Sequence, residues 1–108
     1  MNEVIALQPI VLQQWLEEKR QIQLLDVREQ DEWDICHIQG SLHIPMNDIV
    51  KQLDKINTNL PTVVICHHGI RSSIIADKLS TKGYSNLYNL TGGIDMWARQ
   101  VDKEMERY

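Results

Sequence analysis

A thiol, two imidazoles and a guanidinium fall within six residues of one another in the stretch VVICHHGIRSS, residues 63–73. The apolar residues before Cys66 have β-strand character, whereas glycine and polar residues follow it. Many free cysteines are only small buried residues, and that reading stays open. A cysteine that ends a strand before a tight turn, however, lies where ligands bind in parallel α/β sheets, beyond the carboxyl ends of the strands. The stretch therefore indicates a candidate nucleophile.

The residues after Cys66 are predicted to turn sharply into a helix that begins near Arg71 or Ser72. Backbone N–H groups of the loop and of the first helical turn would then point inward and form an anion cradle. A thiol in such a ring of donors is expected to ionise readily to the nucleophilic thiolate. Gly69 permits the turn, and Ser72 or Ser73 can cap the helix.

The elements around this loop are predicted from alternating apolar runs and segments of helical periodicity, a pattern typical of an α/β sheet with crossover helices. Several runs are too apolar to be exposed on either face, which favours a parallel sheet covered on both sides. The predicted strands are 4–7, 23–27, 42–44, 62–66 and 87–90. Amphipathic helices are predicted over 11–16, 49–56 and 94–105, with another after Cys66 that ends at Gly83. The charged residues 103–108 are expected to fray.

Length and charge limit the functions that the chain could have. Its 108 residues suit one domain, residues 1–108. A formal charge of -4 without a basic cluster argues against nucleic-acid and anionic-membrane partners. The sequence lacks a membrane-spanning or signal segment, so a cytoplasmic location is expected. Two cysteines are too few for a disulfide framework and are expected to stay thiols.

The segment LLDVREQDEWDICHIQGSLHIP, followed by VVICHHGIRSSIIADKLSTKGYSNLYNLTGGIDMWA, resembles the single-domain rhodanese-like sulfurtransferases, which carry sulfur as a cysteine persulfide. The resemblance implies an α/β fold with a five-stranded, mostly parallel sheet flanked by helices on both faces. It implies that Cys66 carries sulfane sulfur from a small-molecule or protein donor to a thiol or other nucleophile, without a cofactor or metal. It leaves the oligomeric state open. The implied active-site and substrate-binding loop comprises His67, His68, Gly69, Ile70, Arg71 and Ser72.

Two other functions are weighed against sulfur transfer. Phosphatases and arsenate reductases on this fold have a loop one residue longer than the four residues between Cys66 and Arg71, and the shorter loop suits a single terminal sulfur better than a phosphate. A regulatory rhodanese module that binds a partner protein is the second alternative. The intact cysteine weighs against it.

Charged residues at the end of the second strand are expected at the same sheet end as Cys66. Asp26 and Arg28 could shape the pocket rim, but an ion pair that supports neighbouring loops is favoured. Arg71 is the better candidate to contact an anionic donor, because its planar fork suits sulfonate or carboxylate oxygens. It could also simply close the loop.

The histidines of the loop suggest tuning of the thiolate rather than metal binding. Adjacent residues such as His67 and His68 rarely direct ligands, together with Cys66, to one tetrahedral ion. Either imidazole could gain a proton near a pH of about 6 to 7 and add positive charge beside the thiolate. His37 and His43 are expected to be structural.

Cys36 stands where a glycine is common in the family and raises the hypothesis of a second, resolving thiol. It precedes the third predicted strand, whereas Cys66 follows the fourth, so parallel strands would place the two at opposite sheet ends. A strand spans roughly 15 Å. That separation is far beyond disulfide reach.

Overall fold

In the computed structural model, which describes residues 3–108, five parallel strands form one sheet with helices on both faces. The strands are β1 (Val4–Leu7), β2 (Gln23–Asp26), β3 (Leu42–His43), β4 (Thr62–Ile65) and β5 (Leu87–Leu90). The helices are α1 (Pro9–Glu17), α2 (Gln30–Ile35), α3 (Ile70–Thr81) and α4 (Gly93–Gln100), with 3-10 segments at Met46–Asp48 and Val50–Lys55. Within residues 3–108, no helix combines the length and apolar character needed to cross a membrane.

The strand order β1-β5-β4-β2-β3 brings the site together. All four strand pairings are parallel, so the predicted sheet is confirmed. Every residue of β4 is buried, as its apolar run predicts, and β2 and β5 flank it. The chain therefore leaves β2, β4 and β5 at the same edge of the sheet.

The side chains of β4 alternate between two apolar cores, one on each face of the sheet. Val64 packs with the α3 residues Ile75 and Leu79. Val63 packs with Leu12 of α1 and Trp97 of α4. Helices on both faces were predicted, and the two cores confirm them.

One helical prediction was wrong, and one helix was not predicted. The predicted helix over 49–56 is instead a 3-10 segment interrupted at Gln52, whose φ of -122° is not helical. Helix α2 was missed because its residues are all partly or fully exposed and so show no apolar stripe. Its start is marked instead by a capping box in which Glu29 and Glu32 bond each other's backbone N–H groups.

The ends of the remaining helices differ in detail from the prediction. Helix α3 begins at Ile70 with Gly69 as its N-cap, so Ser72 and Ser73 do not cap it. Gly83 follows the helix with a φ of +95°, as predicted. The expected fraying of residues 103–108 is wrong at Tyr108, whose hydroxyl bonds to Arg28 and Glu32.

Candidate active site

Cys66 lies directly after β4, at the sheet edge where β2 and β5 also end. Its side chain is on the α3 face, in the same core as Val64, because alternate residues of the strand point to the same side. The residue is 1% exposed. The loop of residues 67–72 therefore covers the thiol.

Two polar groups of the loop contact the Cys66 sulfur. The backbone N–H of Gly69 donates to Sγ at 3.1 Å, and the Ser72 hydroxyl lies 3.2 Å from it. Gly69 has a φ of +106°, a left-handed conformation that a residue with a Cβ rarely adopts. This turn brings the N–H back over the thiol at the start of α3, as the sequence predicts.

Asn89 on β5 holds both groups that contact the sulfur. Its Nδ2 donates to the Gly69 carbonyl at 3.1 Å, and its Oδ1 accepts from the Ser72 hydroxyl. The side-chain amide is thereby oriented, and the lone pairs of the Ser72 oxygen are left for Sγ. Asn89 is not among the site residues predicted from the sequence, although a polar residue in the apolar run LYNL is a signal.

The first part of the loop is anchored to α4. The N–H groups of Ile94 and Asp95 donate to the carbonyls of Cys66 and His67 at 2.8 and 3.1 Å. A Cβ on Gly93 would lie 2.3 Å from the His67 carbonyl oxygen, so only glycine permits this approach. The approach explains physically why a glycine stands here, four residues before Trp97.

Arg71 is tied to α2 by an ion pair. Its NH1 and NH2 atoms donate to the two carboxylate oxygens of Glu32 at 2.7 and 2.8 Å. These bonds hold the pKa of Glu32 at about 2, well below its ordinary value. Glu32 also accepts from Tyr108 at 2.8 Å and from the Glu29 N–H at 2.9 Å. The guanidinium expected to contact a donor thus already has a carboxylate partner.

Asp26 and Arg28 form a buried ion pair, with both side chains 0% exposed. Burial opposes the charge of Arg28, but its bonds to Asp26 outweigh that effect and raise its pKa. The same guanidinium donates to the carbonyls of Cys36 at 2.6 Å and Glu32 at 3.2 Å, and to the Tyr108 hydroxyl at 2.9 Å. The pair therefore supports the end of α2 rather than forming the pocket rim.

His67 is enclosed by two aromatic rings. It stacks on His68 at 3.9 Å and on Tyr108 at 4.0 Å between ring centroids. Its Nε2 lies 3.0 Å from the Tyr108 backbone oxygen, so this nitrogen carries the proton and donates. Burial, together with the nearby His68, lowers the pKa of His67. Neutral imidazole is therefore the form favoured at neutral pH.

The residues that could hold a metal ion differ from the set considered from sequence. Within residues 3–108, potential ligand atoms of His67, His68 and Asp95 lie within 4.8 Å of one another, and Cys66 is not among them. Asp95 already accepts from Arg99 at 2.9 Å. A metal ion there would have to compete with that guanidinium.

His37 and His43 both pack on Trp33 of α2. Their rings stack on the indole with centroid distances of 3.8 and 4.6 Å. His37 bonds to the Trp33 carbonyl and His43 to the Arg28 carbonyl. The contacts are those expected of structural residues.

The expectation that Cys36 lies at the opposite sheet end from Cys66 is wrong. Its carbonyl accepts from Arg28, directly after β2, and it lines a crevice with His67. The chain stays near this sheet end through α2 before it turns back to β3. The two thiols are instead on different sides of the sheet, since Cys36 packs with the α4-side core and Cys66 with the α3-side core. Burial raises the pKa of Cys36, and both cysteines are free.

Comparisons with known proteins agree on one family. Residues 9–100 match the sequence profile described as Rhodanese-like domain. The thiosulfate sulfurtransferase GlpE of Coxiella burnetii is 37% identical over 87 residues, which are 80% of this chain and 81% of that protein. The putative sulfur carrier protein YrkF of Bacillus subtilis is 32% identical over 75% of this chain and 44% of its own length. A rhodanese-like domain protein from Staphylococcus aureus superposes with a TM-score of 0.84 at 26% identity, covering 97% of this chain and 99% of that one.

Proposed function

The chain belongs to the rhodanese-like domain family of sulfurtransferases, and we propose that it transfers sulfane sulfur through a persulfide on Cys66, as one domain over residues 1–108. One observation carries the proposal. The Cys66 thiol, which directly follows β4, is contacted by the Gly69 N–H and the Ser72 hydroxyl, in a loop where four residues separate Cys66 from Arg71.

The reaction has two displacement steps. The Cys66 thiolate attacks the outer sulfur of the donor, a new S–S bond forms, and the donor's own bond to that sulfur breaks. The bonding electrons leave with sulfite when the donor is thiosulfate, or with a thiolate when it is a persulfide. An acceptor thiolate or cyanide then attacks the terminal sulfur and releases the Cys66 thiolate.

The loop residues have different roles in this cycle. Gly69 donates its N–H to the sulfur, and the start of α3 supplies a positive dipole end beside it. Ser72 orients Sγ. His67, His68, Ile70 and Arg71 form the mouth through which the donor and acceptor approach. Asp26 and Arg28 support the end of α2, the helix whose Glu32 holds Arg71.

Donor and acceptor are small molecules or proteins that offer sulfane sulfur or a thiol. The names of the GlpE and YrkF relatives specify a thiosulfate substrate and a carrier role, respectively. The proposal includes a cytoplasmic location, because a carrier whose thiols must stay reduced suits a reducing compartment.

Intact-mass analysis tests the proposal. After incubation with thiosulfate or with glutathione persulfide, the native protein should gain one sulfur atom and lose it to cyanide or excess thiol. Cys66→Ser should gain none, and Cys36→Ser should gain it normally. A native protein that takes sulfur from neither donor would overturn the proposal in favour of a partner-binding module. Rapid hydrolysis of an aryl phosphate would favour a phosphatase.

A further inference from the structure

Three arginines close to the Cys66 loop each meet a carboxylate. Arg71 is held by Glu32 through two hydrogen bonds. The buried Arg28 is paired with Asp26 at 2.8 Å, and Arg99 with Asp95 at 2.9 Å. The positive charge that their guanidinium groups would offer an incoming anion is therefore largely neutralised.

The Arg71 pair differs from an ordinary surface ion pair. The carboxylate side chain is only 16% exposed and that of Arg71 only 32%. Its two parallel bonds also fix the plane of the guanidinium, which is the geometry of a strong pair. Glu32 is held in turn by the Tyr108 hydroxyl and the Glu29 N–H, so the carboxylate is set in place before any donor arrives.

This charge arrangement discriminates between classes of sulfur donor. Thiosulfate carries two negative charges, and both remain on the departing sulfite. Its approach to a thiolate therefore calls for an unpaired cation at the mouth of the loop. A persulfide carries one negative charge when ionised and has an organic part. It therefore needs less positive charge at the mouth of the loop.

Apolar side chains at the mouth also favour an organic persulfide as the donor. Ile70, inside the loop, is 74% exposed, and Ile74, one turn later in α3, is 50% exposed. Both can contact the organic part of a persulfide, which thiosulfate lacks. Burial also lowers the pKa of His67, so its imidazole adds little positive charge at neutral pH.

We propose, taking Cys66 as the sulfur carrier, that Glu32 is a specificity-determining residue: by holding Arg71 it makes an organic persulfide a better donor than thiosulfate. With a persulfide R–S–S⁻, the Cys66 thiolate attacks the outer sulfur. The Cys66 S–S bond forms, the donor S–S bond breaks, and its electron pair leaves with R–S⁻. Two negative charges stand on each side of the step, which needs no oxidant or reductant.

Steady-state transfer to cyanide with two donors tests the proposal. For the native protein, kcat/KM should be at least about tenfold higher with 2-hydroxyethyl persulfide, whose organic part is uncharged, than with thiosulfate. Glu32→Gln keeps an acceptor for the Tyr108 and Glu29 bonds but removes the charge that holds Arg71. It should lower the KM for thiosulfate by about tenfold, the effect of one new charge-assisted contact, and change the KM for 2-hydroxyethyl persulfide by less than about twofold.

Two further variants separate the effect of the Glu32–Arg71 ion pair from the effect of net charge. Asp31→Asn removes one negative charge from the same turn of α2 and should leave the thiosulfate KM unchanged. The double change of Glu32→Gln with Arg71→Gln should abolish the gain, because no guanidinium remains to be released. A native protein that uses thiosulfate as efficiently as the persulfide, or an unchanged thiosulfate KM in folded Glu32→Gln, would overturn the proposal.

A measurement on the native protein tests the proposal even if a variant fails to fold. Sulfate should inhibit persulfide transfer no more than sodium chloride of equal ionic strength, since the Arg71 guanidinium is already held by Glu32. Competitive inhibition by sulfate beyond that control would count against the proposal. Intact mass keeps the two proposals apart, because Cys66 must gain sulfur from some donor before any preference between donors has meaning.

Discussion

Asn89 accepts a hydrogen bond from the Ser72 hydroxyl, and that hydroxyl oxygen lies 3.2 Å from the Cys66 sulfur. Through its Nδ2 atom the same amide holds the Gly69 carbonyl, whose residue donates to that sulfur. Among the described contacts, Asn89 has no direct bond to the Cys66 thiol. It nevertheless positions two groups that do contact the sulfur.

Removal of this amide should slow sulfur loading. We expect Asn89→Ala to reduce the single-turnover rate of Cys66 persulfide formation by about tenfold, because two hydrogen bonds are lost. Tyr88→Phe, the neighbouring β5 position, is the control. A native loading rate in folded Asn89→Ala would show that the amide does not position the site.

A methyl group at Gly93 should displace the loop. Its Cβ would lie 2.3 Å from the His67 carbonyl oxygen, and its φ is +62°. We expect Gly93→Ala to lower the free energy of unfolding by about 3 kcal/mol in urea denaturation. Gly40→Ala is the matched control, since its φ is +89° but no atom lies within 4 Å of its Cβ. It should lose only about 1 kcal/mol. Equal losses at the two positions would contradict the role of close approach.

The ion pair between Glu32 and Arg71 predicts that the free energy of unfolding falls in acid. The Arg71 bonds lower the pKa of Glu32 from 4.5 to about 2 on folding. A carboxyl whose pKa is depressed in the folded state stabilises the protein fully above its unfolded pKa, and that stabilisation is lost as the pH falls towards the folded value. The free energy of unfolding should therefore fall between pH 4.5 and about 2, and less so in Glu32→Gln.

Urea denaturation at several pH values provides the measurement. Glu17→Gln makes the same chemical change on α1, away from Arg71, and should reproduce the native profile. If native protein and Glu32→Gln lose stability in parallel over this range, the ion pair does not contribute as the geometry implies.

The two cysteines should behave differently. Cys66→Ser should abolish sulfur transfer, because a hydroxyl cannot hold a persulfide. Cys36→Ser should transfer sulfur close to the native rate, since the two thiols face different cores. Non-reducing mass analysis of the oxidised protein should show no internal disulfide. A Cys36–Cys66 disulfide, with loss of activity in folded Cys36→Ser, would indicate a two-thiol enzyme.

The parts of the fold that the sequence predicts are those with local signals. The apolar run of β4 and the glycine that follows Cys66 predict the strand, the turn and the covered thiol. The features that were not predicted depend on contacts between residues far apart in the sequence. Arg71 is 39 positions from Glu32, and Asn89 is 17 positions from Ser72. The prediction of where Cys36 lies was wrong for a related reason. An exposed helix of six residues has no apolar stripe, so the path of the chain before β3 could not be traced.

The anchoring of the loop to α4 has a consequence for hydrogen–deuterium exchange. Amide hydrogens in the first turn of a helix usually exchange quickly, because they lack partners within the helix. The amides of Ile94 and Asp95 instead donate to the carbonyls of Cys66 and His67. We therefore expect slow deuterium uptake at the start of α4, so that labelling of a helix outside the loop reports whether the loop over the thiol is closed.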